Sequence, residues 1–267
     1  MFKKIAITAE DFQQYRQKLG FTNQAAVKDF FGAKDITPSI DFDYIKFLNK
    51  RIYNIVDRLN AVVADEVKID NICSFKKEHI DLVLKKMKRS GILPLLNNQG
   101  RRPEQVYFSW MRGYVISNFF LKALGIVFEV DIKNIDLVGD DDFKNIETFR
   151  RTPKADLEIK LNGGERIRIE MQSGFTGIND IKKHKVTEAK KVFRETGIHS
   201  LAIHFDLYNG QVAFVKLDEI EDGDVNWITR INLDDEGIVW NIDQNFFFWN
   251  LENVPLPYQR ILKNYYA

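Results

Sequence analysis

Lys154-Ala155-Asp156-Leu157-Glu158-Ile159-Lys160-Leu161, then Asn162-Gly163-Gly164, then Glu165-Arg166-Ile167-Arg168-Ile169-Glu170-Met171-Gln172-Ser173-Gly174, are two alternating apolar and polar runs around a glycine-bearing turn. Period-two alternation with a short Gly-containing break predicts a β-hairpin. Side chains two apart on a strand share a face, so Glu170 and Gln172 point one way and Ile169 and Met171 the other. Asp156 stands on the partner strand, where a hairpin centred on the glycine pair brings its carboxylate towards theirs. Converging carboxylates make a hard, oxygen-rich site suited to Mg²⁺ or Mn²⁺. The same alternation also describes the solvated face of a half-buried antiparallel sheet, so the residues alone leave both readings open.

The flanks narrow the choice. A mostly apolar helix is expected over 104–124, with Pro103 in its first turn and Gly125 at its end. A strand is expected over 126–132. After the hairpin come a loop over 175–179, a Lys-rich helix with Ile181, Val186, Ala189, Val192 and Phe193 on one face, and a strand over 201–208. Asn209-Gly210 turns that strand into another over 211–217.

Helix, strand, strand, strand, helix, strand with an acidic pair at the middle resembles the PD-(D/E)XK nuclease superfamily over roughly residues 104–217. Pro153-Lys154-Ala155-Asp156 matches its "PD" element and Glu170-Met171-Gln172 its "(D/E)XK" element. The resemblance implies an α/β (α+β) fold: a central mixed β-sheet flanked by helices, a restriction-endonuclease-like core. It further implies a Mg²⁺-dependent endonuclease, with Mn²⁺ as a substitute ion, in which Asp156, Glu170 and Gln172 are catalytic and Asp156 and Glu170 hold the metal. A third carboxylate often comes from the preceding helix in this family, and Glu104 is the only acid there. Gln172 replaces the family's lysine, as in some type II restriction endonucleases, and removes a cation from beside the attacking water.

Elsewhere the chain sets limits. With 267 residues and 45% hydrophobic content it is long enough for one large or two small domains with a real core. The 39 basic and 38 acidic residues give a net charge of +1, so nucleic-acid attraction has to come from local patches. Cys73 is the single cysteine, which excludes an intrachain disulfide and a Cys-based zinc site. The four histidines lack metal-ligand spacing, and only His184 falls near the proposed site. No apolar run approaches the ~18 residues of a membrane span, and the amino end has no apolar stretch after its lysines. The expectation is a soluble cytoplasmic protein. No phosphate-binding G-x-x-x-x-G-K-[ST] sequence occurs, so no nucleotide cofactor is expected.

Residues 1–100 are expected to form an N-terminal helical region and 101–267 the nuclease core with a C-terminal strand and aromatic extension. Two short helices over 9–19 and 22–31 have the outline of a helix-turn-helix, which is also a common packing unit. Longer helices are expected over 42–63 and 69–92. The loop 97–103 marks the boundary; Arg101 and Arg102 in it, Arg150 and Arg151 before the hairpin, and Lys182, Lys183 and Lys185 on the Lys-rich helix are the candidate contacts to double-stranded DNA. Each is equally explained as a linker or solvated face. Gly139-Asp140-Asp141-Asp142 reads as a surface turn. Phe246-Phe247-Phe248-Trp249 reads as core, or as part of the contact in a homodimer whose two-fold axis matches a palindromic target.

Overall fold

The computed structural model describes residues 8–33, 35–96, 101–138, 156–232 and 235–265. The hairpin forms as expected: β2 (Leu157–Lys160) runs antiparallel to β3 (Arg166–Gly174), with Leu157 opposite Ile169 and Ile159 opposite Ile167. Its turn closes through Leu161 N–H to Glu165 O (2.8 Å) and Gly164 N–H to Leu161 O (2.9 Å), with Gly164 at φ +86°, where a side chain would be strained.

Around this hairpin a six-stranded mixed sheet is built. β1 (Ile135–Leu137) lies outside β2; β5 (His199–Asp206) pairs in parallel with β3; β6 (Gln211–Lys216) and β9 (Phe247–Asn250) follow, both antiparallel. The parallel β3–β5 pair requires a crossover. It is supplied by β4 (Asp180–Lys182) and α8 (Lys183–Thr196). β4 belongs to a second sheet, in the order β4-β8-β7, with β7 (Ile228–Asn232) and β8 (Asp235–Asn241).

Alternation along β3 and β5 gives the main sheet two unlike faces. Ile167, Ile169, Leu201, Ile203, Phe205, Phe214 and Trp249 pack in one large core with α3 (Phe42–Val62), α6 (Pro103–Phe119) and α7 (Leu121–Phe128). Phe120, between α6 and α7, stacks on Phe205 with centroids 4.1 Å apart and meets Trp249 edge-on. Each such side chain is worth about 1.5–3 kcal/mol on burial. On the opposite face Ala202, Ala213 and Val215 are small, so α8 and the second sheet approach closely through Val186, Ala189, Ile181 and Trp240.

α3 starts where Asp41 accepts the Tyr44 N–H (2.9 Å) and buries the stripe Ile45, Leu48, Ile52, Val56, Leu59. Residues 72–89 follow as α4 (Ile72–Lys76), a π-helical turn (Lys77–Asp81) and α5 (Leu82–Arg89). α1 (Ala9–Lys18) and α2 (Gln24–Phe31) form the expected pair of short helices, capped by Thr8 and Asn23; neither buries a residue.

Five expectations are corrected. The strand over 126–132 is helix up to Phe128: Ala123, Leu124, Val127 and Phe128 are buried at helical spacing, and a short apolar run does not by itself separate strand from helix. The preceding helix breaks at Phe120 rather than Gly125, and α7 ends on Glu129 at φ +54° with Val130 N–H bonded to Gly125 O. The 100/101 boundary does not divide the core, because α3, α4 and α5 share one hydrophobic cluster with α6 and the sheet. The Tyr107 hydroxyl to Asn49 Oδ1 (2.7 Å) and Ala64 N–H to Leu251 O (3.0 Å) tie the two halves further. The helix expected to begin near Ile181 is preceded by β4, whose only apolar residue, Ile181, pairs with Trp240. Finally, Trp249 is buried on Phe120 and Phe205, and Phe246 packs on Trp240 and Tyr265, so the aromatic run assigned to a dimer contact is largely used within the chain. Among the described residues no single helix is long and apolar enough to cross a membrane.

Candidate active site

Among the described residues β2 stops at Leu157 while β3 runs on to Gly174, so part of the β3 edge has no ladder partner among them on that side. Asp156 fills the gap: its Oδ2 accepts the Met171 N–H at 2.7 Å, and its carbonyl accepts the Val138 N–H at 3.1 Å. The register of Leu157 with Ile169, extended by one residue, puts Asp156 at the position opposite Glu170. A cleft of about 70 Å³ opens beside Asp156, lined also by Gly113 and Ser117 of α6, Gln172, Ser173 and Phe205.

Glu170 projects to the α8 side of the sheet, where Lys185 Nζ lies 2.6 Å from its Oε1. A cation thus stands at the acidic pair although position 172 does not supply one. Its location is electrostatically unusual. Lys183, His184 and Lys185 crowd the first turn of α8, which has no acidic residue, whereas the positive end of a helix dipole disfavours cations by about 0.3–1 kcal/mol each. Glu170 offsets this for Lys185, and Asp222, 3.2 Å from Lys183 Nζ, does so for Lys183.

Gln172 is held by a polar chain that sequence reading missed. Gln172 lies beside His204 in the parallel β3–β5 register, with Oε1 recorded 3.4 Å from His204 Nδ1. His204 Nε2 is 2.8 Å from Asn179 Oδ1, and Asn179 Nδ2 donates to Asp206 at 3.1 Å. Burial would push the Asp206 carboxyl up, but hydrogen bonds from Asn209, Asn179 and Gln211 outweigh it and hold it below the usual carboxylate range. Burial pushes His204 down to about 4, so the ring is neutral at pH 7.

These facts fix orientations. An ionised Asp206 takes the Asn179 amide N–H, which turns Asn179 Oδ1 to His204 and puts the ring proton on Nε2. His204 Nδ1 is then an acceptor, so Gln172 must offer its NH₂ there and leave its carbonyl oxygen to the cleft, an assignment made from the network. Gly174 permits the packing: a Cβ at this position would sit 3.1 Å from His204 Nε2 and 3.3 Å from Ile178 O. The signal in the sequence was His204 and Asp206 at alternate positions after the apolar run Leu201-Ala202-Ile203. His204 is a spatial neighbour of the site to which the sequence did not point.

The other candidates are placed as follows. Glu104 is buried at the start of α6, where it accepts the Asp41 N–H at 2.7 Å and pairs with Arg102 at 3.3 Å. Burial raises its carboxyl, but these partners leave it lowered overall. It stands about 13 Å along the helix axis from Gly113 at the cleft, so it joins α6 to the α3 cap and is not brought to Asp156. Arg102 also reaches Asp41 (3.7 Å) and lies over the Tyr44 ring. Arg101 is half-buried in the same corner, and Lys182 is half-buried in β4. Lys183 is engaged with Asp222 and the Trp227 ring (5.1 Å). Of the basic candidates, Lys185 is the one shown in contact with a site carboxylate. Arg150, Arg151 and the acidic turn at 139–142 lie outside the described residues.

Asp156 and Gln172 bring a carboxylate and an amide oxygen, hard ligands suited to Mg²⁺ or Mn²⁺, to a polar cleft with room for water, while Glu170 stands on the α8 side of the sheet. A second group, His199, Asp218 and Glu219, has potential ligand atoms within 4.8 Å of one another. Its atoms are already engaged. Asp218 accepts from His199 (2.7 Å) and the Ser200 N–H (2.6 Å), and Glu219 pairs with Lys216 (2.8 Å), an arrangement that ties β5 to the turn Leu217–Glu219.

Comparison of the chain with protein-family models, with curated proteins and with solved structures finds no match.

Proposed function

We propose that the protein is a Mg²⁺-dependent DNA endonuclease of the restriction type, with its active site at the open end of the β2–β3 hairpin. The observation that carries this reading is the cross-strand placement of Asp156 and Glu170 with Lys185 2.6 Å from Glu170. Two acids and a cation on neighbouring elements are the groups that phosphodiester hydrolysis needs, and α8 supports the reading by bringing the cation that Gln172 lacks.

A divalent ion bound here supplies Lewis-acid polarisation of the scissile phosphate and a lowered pKa for the attacking water. The chain's own residues do the rest. Asp156 and Glu170 provide the negative charge that fixes the ion. Lys185, 2.6 Å from Glu170 here, would be free to set its ammonium against a non-bridging phosphate oxygen or the attacking water if Glu170 held the ion. Gln172, oriented through His204, Asn179 and Asp206, accepts a hydrogen bond from that water with its outward carbonyl and holds it in line. Ser117 and Ser173 complete the polar wall.

A second reading has one observation in its favour: Glu170 is neutralised by Lys185 without any ion, as a DNA-binding protein that does not cut would require. Incubation of purified protein with plasmid and Mg²⁺ separates them. Discrete fragments are expected; a smear indicates a nuclease without sequence preference, as in repair, and a shifted but intact band shows a binder.

A further inference from the structure

Next to the cleft lies a much larger groove, of about 610 Å³, between α3 and α6 and closed at one end by Phe175 and Leu207. It adjoins the candidate site directly: Ile116 lines both spaces, Arg112 in the groove precedes Gly113 in the cleft, and Phe175 follows Gly174 at the end of β3. Most of its wall is apolar, but three arginines stand in it, Arg51 and Arg58 on α3 and Arg112 on α6.

Arg112 is the informative one. Its guanidinium is held 4.5 Å from the Phe175 centroid and 5.7 Å from that of Phe108, and burial lowers its pKa. Among the described residues no acid or hydrogen-bond acceptor engages it, nor Arg51 or Arg58. A half-buried guanidinium with unused donors is costly unless a ligand supplies the anion. Phe47 and Phe175 meanwhile line the groove and are each more than half exposed.

We infer that this groove holds an unpaired nucleotide of the DNA substrate, its base stacked on Phe175 and Phe47 and its phosphate on Arg112. The inference rests on the nuclease reading for the role of the neighbouring cleft and names the substrate feature that reading leaves open: a base that has left the duplex stack, in single-stranded DNA or flipped out beside the cut. Charge complementarity selects this occupant. Arg51 and Arg58 are seven residues apart on one helix, about 10 Å, with Arg112 across from them. Such a spread suits successive phosphates of a strand, whereas a fatty-acid-like amphiphile carries one anionic head. Exposed aromatic rings between cations are the usual platform for single-stranded nucleic acid.

The test is binding, not cleavage. A single-stranded oligonucleotide carrying 2-aminopurine is titrated with full-length protein in EDTA, following anisotropy and base fluorescence. Expected are binding with a change in fluorescence, about tenfold weaker binding for Phe175→Ala or Phe47→Ala, and a shallower salt dependence for Arg58→Ala and Arg112→Gln. Circular dichroism confirms that each variant is folded. Unchanged affinity and fluorescence in both phenylalanine variants would overturn the groove assignment, even if plasmid cleavage is intact. Displacement of an anionic detergent from the groove with no oligonucleotide effect would overturn it in favour of an amphiphile. Conversely, stacking by a wild-type protein that leaves plasmid intact with Mg²⁺ would remove the nuclease reading and leave the groove standing.

Discussion

The two faces of the main sheet are made by the same strands and do opposite things. Towards α6 and α7, β3 and β5 present Ile167, Ile169, Leu201, Ile203 and Phe205, closed over by Phe120 and Trp249. Towards α8, the residues in between are Glu170, Gln172, Ala202 and His204, with Asp206 beyond, a face where hydrogen bonds and the Lys185–Glu170 ion pair adjoin the small apolar cluster around Ala202 and Trp240. The dry face derives its stability from area, which tolerates no cavity. The polar face has its groups satisfied one by one, so removing a partner leaves another buried and unpaired. Stability is therefore expected to reside mainly on one face and activity on the other.

The largest effect that would test this division is Phe120→Ala. It should lower stability by about 3–5 kcal/mol in a denaturant titration; a loss below about 1 kcal/mol would mean that the ring stack is not the centre of the core. On the other face, Asp156→Asn and Glu170→Gln should reduce Mg²⁺-dependent cleavage by about 10²–10³-fold while the circular dichroism spectrum stays unchanged. Asn keeps the acceptor for the Met171 N–H, so the Asp156 substitution separates the charge from its role in closing the strand edge. Cleavage at the wild-type rate in both variants would end the nuclease reading.

His204 gives a smaller, pH-dependent effect. Its folded pKa, about 4, lies below the ordinary value of 6.5, so between these pH values the unfolded chain binds the proton and the folded one does not. Its contribution is thus complete above pH 6.5 and is lost as pH falls towards 4, by ~3 kcal/mol in total. Other groups titrate in the same window, so the measurement is the difference in pH slope between wild type and His204→Gln, which should lack this component. Equal slopes would show that the ring is not held neutral. The smallest effect is expected for Lys183→Ala, whose pair with Asp222 is largely solvated; a change under about 1 kcal/mol is predicted.

What the sequence made legible follows from range. The hairpin, its turn and the shared face of Glu170 and Gln172 depend on residues close in the chain, and period-two alternation carries them. The placement of Lys185 and His204 depends on the parallel pairing of β3 with β5 and on the crossover through α8, which no local pattern states. The run 126–132 was misread for the opposite reason: Ile126, Val127 and Phe128 favour strands locally, and burial against the α6 core decides for helix. Glu104 is drawn to the site by the family resemblance and by being the only acid on its helix, while its buried position at the α3 corner gives it a different task.

The crossover also imposes an order on assembly. The Asp156–Met171 contact joins residues 15 apart in the chain, whereas Gln172 and His204 are 32 apart and meet only when α8 has folded back over the sheet. Closing the longer loop costs only about 0.7 kcal/mol more, but it requires a formed helix and a parallel register, the slower kind of pairing. The acidic half of the site therefore belongs to an early, local unit and the amide half to a late, global one. A nascent chain released before α8 docks would carry both carboxylates with neither Lys185 nor an oriented Gln172, and so, on the proposed reading, only half of its active site.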